Sequence, residues 1–329
     1  ECYLGMGNVA EAFKFVQQAY NIWLTLGGNQ DRVRTTYNLG RIYISNSETQ
    51  KGVDLLNKAL TDSRQYKNPI LEGDILEAIA DYHYNNGEIP KSLQIREQIF
   101  NAFQNAKAFS VTAYRRLGAI SKLIFTFAAV GDFISAQGYA KVALEAARKE
   151  NEPYLLLTIL LNQGELFSDQ GRYTEAAKNF NEALSLARKS KFKDVEPNIL
   201  ESLARVNYEN ESLTQALDYL TQMAQLMSAN PSEFNEPYLY AGLIITYAKL
   251  KDTAKVAELI RIAKSKGLDV GKLEGNLRLA HAIGFAQLLN NQNQEGFQTL
   301  KNVYEATARI GHEVEKARVR LTLSYGYAR

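Results

Sequence analysis

An all-α solenoid of antiparallel helix pairs is the fold class this sequence predicts, and three observations carry the prediction. Small residues recur along the 329-residue chain at a spacing of 40. A turn-forming position precedes each recurrence at a fixed distance. Aromatic side chains stand one helical turn ahead of most of those turns. No apolar-polar alternation suggests a β-strand.

The stretch GRYTEAAKNFNEALSLARK at 171–189 shows the unit most plainly. Aligning Ala183 along the chain gives the series Ala19, Ala59, Ile99, Ala143, Ala183, Met223, Ala263 and Val303, with steps of 40 and a single step of 44. Seven residues ahead of each stands Ala12, Gly52, Ser92, Ala136, Ala176, Ala216, Val256 or Gly296. Positions three, four and seven apart share one face of a helix. A small residue on that face lets a second helix come close, and a large one a turn away fills the space beside it.

The upstream half of the unit is as regular. Gly7, Gly87, Gly131 and Gly171 fall five residues ahead of the small position, with Ser47, Glu211, Lys251 and Asn291 in the other copies. A tight turn needs a permissive backbone there. Four residues before the turn lie Tyr3, Tyr43, His83, Phe127, Phe167, Asn207, Tyr247, Gln287 and Tyr327. Three residues earlier come Gly40, Ala80, Gly164, Ala204 and Gly284, with Ile124 and Ile244 as bulkier members. Each unit therefore reads as helix A, a short turn and helix B. Pro69, Pro153, Pro197, Pro231 and Pro237 fall in the linkers between units, and Pro90 sits in the first turn of a B helix, where its missing N–H costs little.

Helix–turn–helix units at this period imply a solenoid whose repeats bury their faces by stacking. The pattern resembles the tetratricopeptide repeat family, most closely in LNQGELFSDQGRYTEAAKNFNEAL (161–184) and YNLGRIYISNSETQKGVDLLNKAL (37–60). The fifth copy matches at Gly164, Phe167, Gly171, Ala176, Phe180 and Ala183. The period is longer than is usual for the family and the closing proline is missing, as in its long-helix variant. The resemblance implies one continuous right-handed α-α superhelix over 1–329: full units at about 28–66, 67–106, 107–150, 151–190, 191–230, 231–270 and 271–310, with partial units 1–27 and 311–329. The chain opens ECYLGMG and closes LTLSYGYAR, so both ends read as cut from a larger signalling or regulatory polypeptide.

Lys plus Arg number 38 against 36 Asp plus Glu, so no global field draws the chain to nucleic acid or an anionic membrane. The lone Cys2 excludes an internal disulfide and fits a reducing, cytoplasmic setting. No apolar run approaches the roughly 20 residues of a membrane helix. His83, His281 and His312 share no metal-ligand spacing. GMGN at 5–8 follows helix and lacks the Lys-Ser/Thr ending of a phosphate loop. No catalytic group, metal or cofactor is expected.

The resemblance implies binding in a concave groove lined by helix A side chains. Those positions are Arg34, Tyr37, Asn38, Arg41, Glu77, Asp81, Tyr84, Phe125, Asn162, Glu165, Arg205, Tyr208, Arg278, His281 and Phe285, with Asp169, Glu201 and Arg318 nearby. Tyr and Arg dominate interface energetics, and the aromatics recur on a face that folding does not require. Asn38 and Asn162 occupy the position where such repeats hold a ligand backbone. Basic Arg34 and Arg41 followed by acidic Glu77 and Asp81 form charge blocks that would orient a peptide. The expectation is a non-enzymatic protein- or peptide-binding module regulating an effector domain, with a partner in the same polypeptide or outside it. A sensor of a sugar or short peptide is the alternative, and the acidic interruptions put nucleic acid last.

Overall fold

A computed structural model describes residues 9–26, 30–105, 111–150, 152–229, 235–268, 273–310 and 313–327. Cys2, Tyr3, Gly7, Pro231 and His312 lie outside them. The described residues form helices α1 (Val9–Leu26), α2 (Gln30–Ser45), α3 (Thr49–Ser63), α4 (Pro69–Asn85), α5 (Ile89–Asn105), α6 (Ala113–Ala129), α7 (Phe133–Glu150) and α8 (Pro153–Asp169). They continue as α9 (Tyr173–Ser190), α10 (Glu196–Glu209), α11 (Leu213–Ala229), α12 (Glu236–Lys249), α13 (Thr253–Ser265), α14 (Leu273–Leu289), α15 (Asn293–Ile310) and α16 (Glu313–Tyr327). Even-numbered helices are the A members and odd-numbered helices the B members. No strand occurs among the described residues.

The helices gather into two compact units, Glu1–Tyr139 and Ala140–Arg329, with the division falling inside α7. Each is a stack of antiparallel A–B pairs. Prolines start helices and do not interrupt them: Pro69 and Pro153 open α4 and α8, while Pro90, Pro197 and Pro237 take second positions. Asn68 caps α4 by accepting from the Ile70 and Leu71 N–H groups at 3.1 and 3.2 Å, satisfying donors that the first turn leaves open.

All seven described A–B turns share one backbone device. The turn residue has a left-handed φ in each: Gly87, Gly131 and Gly171 at 76°, 80° and 70°, and Ser47, Glu211, Lys251 and Asn291 between 58° and 64°. The next residue's N–H then reaches back to the carbonyl at the aromatic position, as in Glu48→Tyr43, Arg172→Phe167 and Gln292→Gln287, each at 2.9 Å. This is the Schellman closure of a helix end. It explains why Asn207 and Gln287 are tolerated at that position, because the turn uses their carbonyls.

The small positions mark close helix approaches. A Cβ on Gly52 would stand 2.6 Å from the Gly40 carbonyl oxygen, and one on Gly164 would stand 2.5 Å from the Phe180 ring. Ala59, Ala143, Ala183, Met223, Ala263 and Val303 are buried, as are Ala136, Ala176 and Ala216. In the second unit Phe180 is fully buried among Leu160, Ala176, Ala183, Leu200 and Leu203. Burying such a ring contributes about 1.5–3 kcal/mol.

Candidate functional site

The helix A faces carry the candidate site, and each unit arranges its own. In the first, Arg34 is exposed and makes no hydrogen bond or ion pair with another described residue. Arg41 lies over the Tyr37 ring at 5.5 Å and donates to its hydroxyl at 3.4 Å. Asn38 is half-buried beside them, with Oδ1 enclosed and unbonded. Tyr84 and Phe125 pack with centroids 5.4 Å apart, and Phe125 leaves 51% of its surface exposed.

Glu77 and Asp81 form no independent acidic patch. Lys122 Nζ lies 3.1 Å from Glu77 Oε1 and 3.1 Å from Asp81 Oδ1. Behind them Arg96, only 3% exposed, pairs with Asp81, approaches Glu77 at 3.4 Å, bonds Thr126 and lies 5.4 Å from the Tyr84 ring centroid. The expected block of negative charge is thus the internal counter-charge of a buried arginine. Sequence reasoning passed over Arg96, although a signal was present. It stands three residues ahead of Ile99, the position held elsewhere by Leu56, Phe180, Leu220 and Leu300. A cation in an apolar series requires acids nearby.

The second unit is more closed. Arg205 and Tyr208 were expected on an open groove face. They are instead 8% and 5% exposed, because α10 packs between its neighbours. Arg205 Nη2 reaches both carboxylate oxygens of Glu165 at 2.6 and 2.7 Å, and its Nη1 donates to Ser168 Oγ at 2.8 Å. Burial opposes its charge, but Glu165 and Glu201 outweigh burial and hold the guanidinium protonated. Burial likewise pushes the Tyr208 phenol well above its ordinary range. Arg278 of α14 reaches past α12 to Glu201 of α10 at 3.0 Å and lies 5.3 Å from the Tyr238 ring centroid on the way. His281 Nε2 hydrogen-bonds with Thr322 Oγ1 of α16 at 2.7 Å. Asn162 and Phe285 are half-buried on α8 and α14.

Asp169 at the end of α8 keeps solvent contact, but the atoms crowding it and the neighbouring Glu165 raise its carboxyl pKa. Arg318 and Arg205 offset this in part. Among the described residues no three His, Cys, Asp or Glu side chains gather as metal ligands. No described helix is long and apolar enough to cross a membrane.

Known proteins share this geometry. The family model described as tetratricopeptide repeat matches residues 115–189 and 155–229, and the turn, small-residue and aromatic positions repeat through the rest of the chain. Residues 115–229 match tetratricopeptide repeats, and the described helices share the all-α solenoid fold of such arrays. The chain's sequence is similar to response regulator aspartate phosphatase A of Bacillus subtilis (strain 168), 25% identical over 207 residues that cover 59% of this chain and 52% of that protein. The chain therefore spans about half the length of that curated relative. Aspartyl phosphate phosphatase F from Bacillus subtilis has a similar fold, with a TM-score of 0.66 at 14% identity over 87% of this chain and 73% of that one. A Rap protein complexed with competence and sporulation factor gives a TM-score of 0.62 at 15% identity, over 84% of this chain and 76% of the other.

Proposed function

We propose that this repeat array is a regulatory binding module that docks a protein or peptide on its helix A face and performs no chemistry itself. One observation carries the reading: the first unit presents exposed Arg34, the Arg41–Tyr37 stack and the half-exposed Phe125 beside Tyr84 on a single face. Packing of the array does not account for exposing these groups, and Arg with aromatic neighbours is the composition of binding hot spots. A Rap protein of similar fold solved with competence and sporulation factor bound supports the same use of the scaffold. The partner that fits is an extended or helical segment with acidic and apolar side chains, delivered to an effector domain in the same polypeptide or in another cytoplasmic protein.

The test is capture from native lysate by the chain and by its Arg34→Glu/Arg41→Glu variant, followed by titration of whatever is identified against both. A partner held by the unchanged chain and released at least tenfold by the variant supports the reading. Equal affinity removes this face from it. A sugar or short peptide that raises the melting temperature, with no protein captured, would favour the small-molecule sensor.

The relative's name motivates a second reading, in which the whole protein accelerates loss of an aspartyl phosphate from a response regulator. Measuring the half-life of a phosphorylated receiver domain with and without the chain separates the two. An unchanged half-life supports a module without chemistry, and a shortened one overturns it.

A further inference from the structure

Neighbouring B helices of the second unit are laced side by side. Arg148 Nη2 of α7 donates to Glu182 Oε1 of α9 at 2.7 Å, Arg188 Nη2 of α9 to Gln222 Oε1 of α11 at 2.9 Å, and Tyr219 OH of α11 to Asn181 Oδ1 of α9 at 3.2 Å. Helix α13 breaks the series. Among the described residues none of its side chains bridges to α11 or α15. Lys264 supplies a sequence reason. It occupies the position just after Ala263, which is Leu144, Leu184, Ala224 or Tyr304 in the other copies of this unit and at least partly buried in all four. Lys264 is exposed, and a cleft opens beside it between α13 and the end of α14.

The opening is a cleft of about 600 Å³, a volume in the range of ligand sites. Ala257 and Ile260 give it an apolar lining over the buried Val256, Arg261 and Lys264 stand on the same helix three residues apart, and Gln287 and Asn290 line it from α14 and the turn that follows it. Arg261 and Lys264 are both exposed, and neither forms a hydrogen bond or ion pair with another described residue. Gln287 Oε1 already accepts from Thr299 Oγ1 at 2.9 Å, and its Nε2 amide is available to donate. The polar lining is rich in donors and carries two uncompensated positive charges.

We propose that this cleft docks an acidic segment of a partner protein. Its carboxylates sit on Arg261 and Lys264, and an adjacent aliphatic side chain lies against Ile260 and Ala257. A guanidinium forks onto a carboxylate with two parallel hydrogen bonds, and the ammonium one turn away takes a second acid. A simple anion would leave the apolar lining unused, which favours a peptide segment. The site is separate from the helix A face and does not depend on its role.

The probe is a rhodamine-labelled peptide, Gly-Leu-Glu-Glu-Leu-Gly, titrated by fluorescence anisotropy beside its Gln-Gln counterpart. The acidic peptide is expected to bind saturably and at least tenfold tighter than the neutral one. Arg261→Gln/Lys264→Gln should weaken it at least tenfold, and Arg34→Glu/Arg41→Glu should leave it unchanged. Lys264→Leu restores the residue class of the other copies and is expected to close the cleft, abolishing binding without loss of helicity by circular dichroism. Equal binding of the two peptides, undiminished binding to the double Gln variant, no saturation up to millimolar protein, or full displacement by low-millimolar inorganic phosphate would each overturn the proposal.

Discussion

Among the described residues each unit buries one arginine against helix A carboxylates, and the two solutions differ. In the first unit Arg96 comes from helix B, through a position its sister repeats fill with apolar residues, most often Leu, and its acids Glu77 and Asp81 are shared with solvent-facing Lys122. In the second unit Arg205 comes from helix A itself and takes both oxygens of Glu165 alone. A hydroxyl completes each site, Thr126 in one and Ser168 in the other. The same repeat pattern can therefore send a cation outward from the core or inward from the groove. In the first unit the result leaves Arg34, Arg41 and Phe125 on the open face. In the second it consumes the groove's own arginine.

The largest expected effects test that contrast directly. Arg96→Ala removes the charge that Glu77 and Asp81 were built around and leaves a void in an apolar series, at a cost of about 3–5 kcal/mol. Arg205→Ala should cost less, about 2–3 kcal/mol, because it strands one paired carboxylate where Arg96→Ala strands two. Urea denaturation of both variants ranks them. If Arg205→Ala proves the worse, burial of the arginine outweighs the number of acids it holds. Arg96→Leu sharpens the result: it restores the residue of the sister repeats and leaves Lys122 to neutralise the acids, so it should recover a substantial part of the loss.

A smaller effect is expected where backbone approaches backbone. Gly52→Ala places a methyl group against the Gly40 carbonyl in the first unit, and Gly164→Ala places one against the Phe180 ring in the second. Overpacking of this kind costs about 1–3 kcal/mol, with Gly52→Ala the more severe because a carbonyl held in a helix yields less than a ring. Hydrogen exchange should show each loss confined to its own unit and nearest repeats. A loss spread evenly over both units would mean that they unfold together. The turns come next. Gly87→Ala should destabilise by about 1 kcal/mol, since an L side chain is strained at left-handed φ. Glu211→Gly should gain somewhat less, because glycine also frees the unfolded chain. Thermal melts of the pair read both signs.

Much of this architecture was legible because it depends on residue size at fixed spacing. Gly52, Gly164, Ala176 and Phe180 announced close helix approaches, and Ser47 and Glu211 were placed in turn positions without being glycine. Side-chain charge was less legible. Whether Glu77 faces a ligand or an internal partner depends on which way Arg96 points from the next helix, and a 40-residue period does not encode that direction. Arg205 and Tyr208 failed as open groove residues for a related reason: helix A spacing assigns them a face, but how closely the flanking helices cover that face depends on the coiling of the stack. The ion pair between Glu201 and Arg278, 77 residues apart, skips a whole repeat and lies beyond any local pattern.

The smallest expected effect concerns Asp169, which no partner neutralises as Lys122 does for Asp81 in the first unit. Burial and Glu165 raise its carboxyl pKa above the ordinary range in the folded chain. The folded state therefore holds this proton more tightly than the unfolded one, and the contribution to stability is present in acid and lost as pH rises through the folded pKa. Asp169→Asn removes the cost of the charge, so the variant should be the more stable at pH 7, with the gap narrowing in acid as the wild-type carboxyl is protonated. Urea midpoints at pH 7 and in acid measure it. A gap that widened in acid would mean that Arg318 and Arg205 hold Asp169 as a true ion pair. The second unit's helix A face would then be electrostatically closed on itself, leaving the first unit's face, with its uncompensated Arg34, as the surface on which a partner's charge could be recognised.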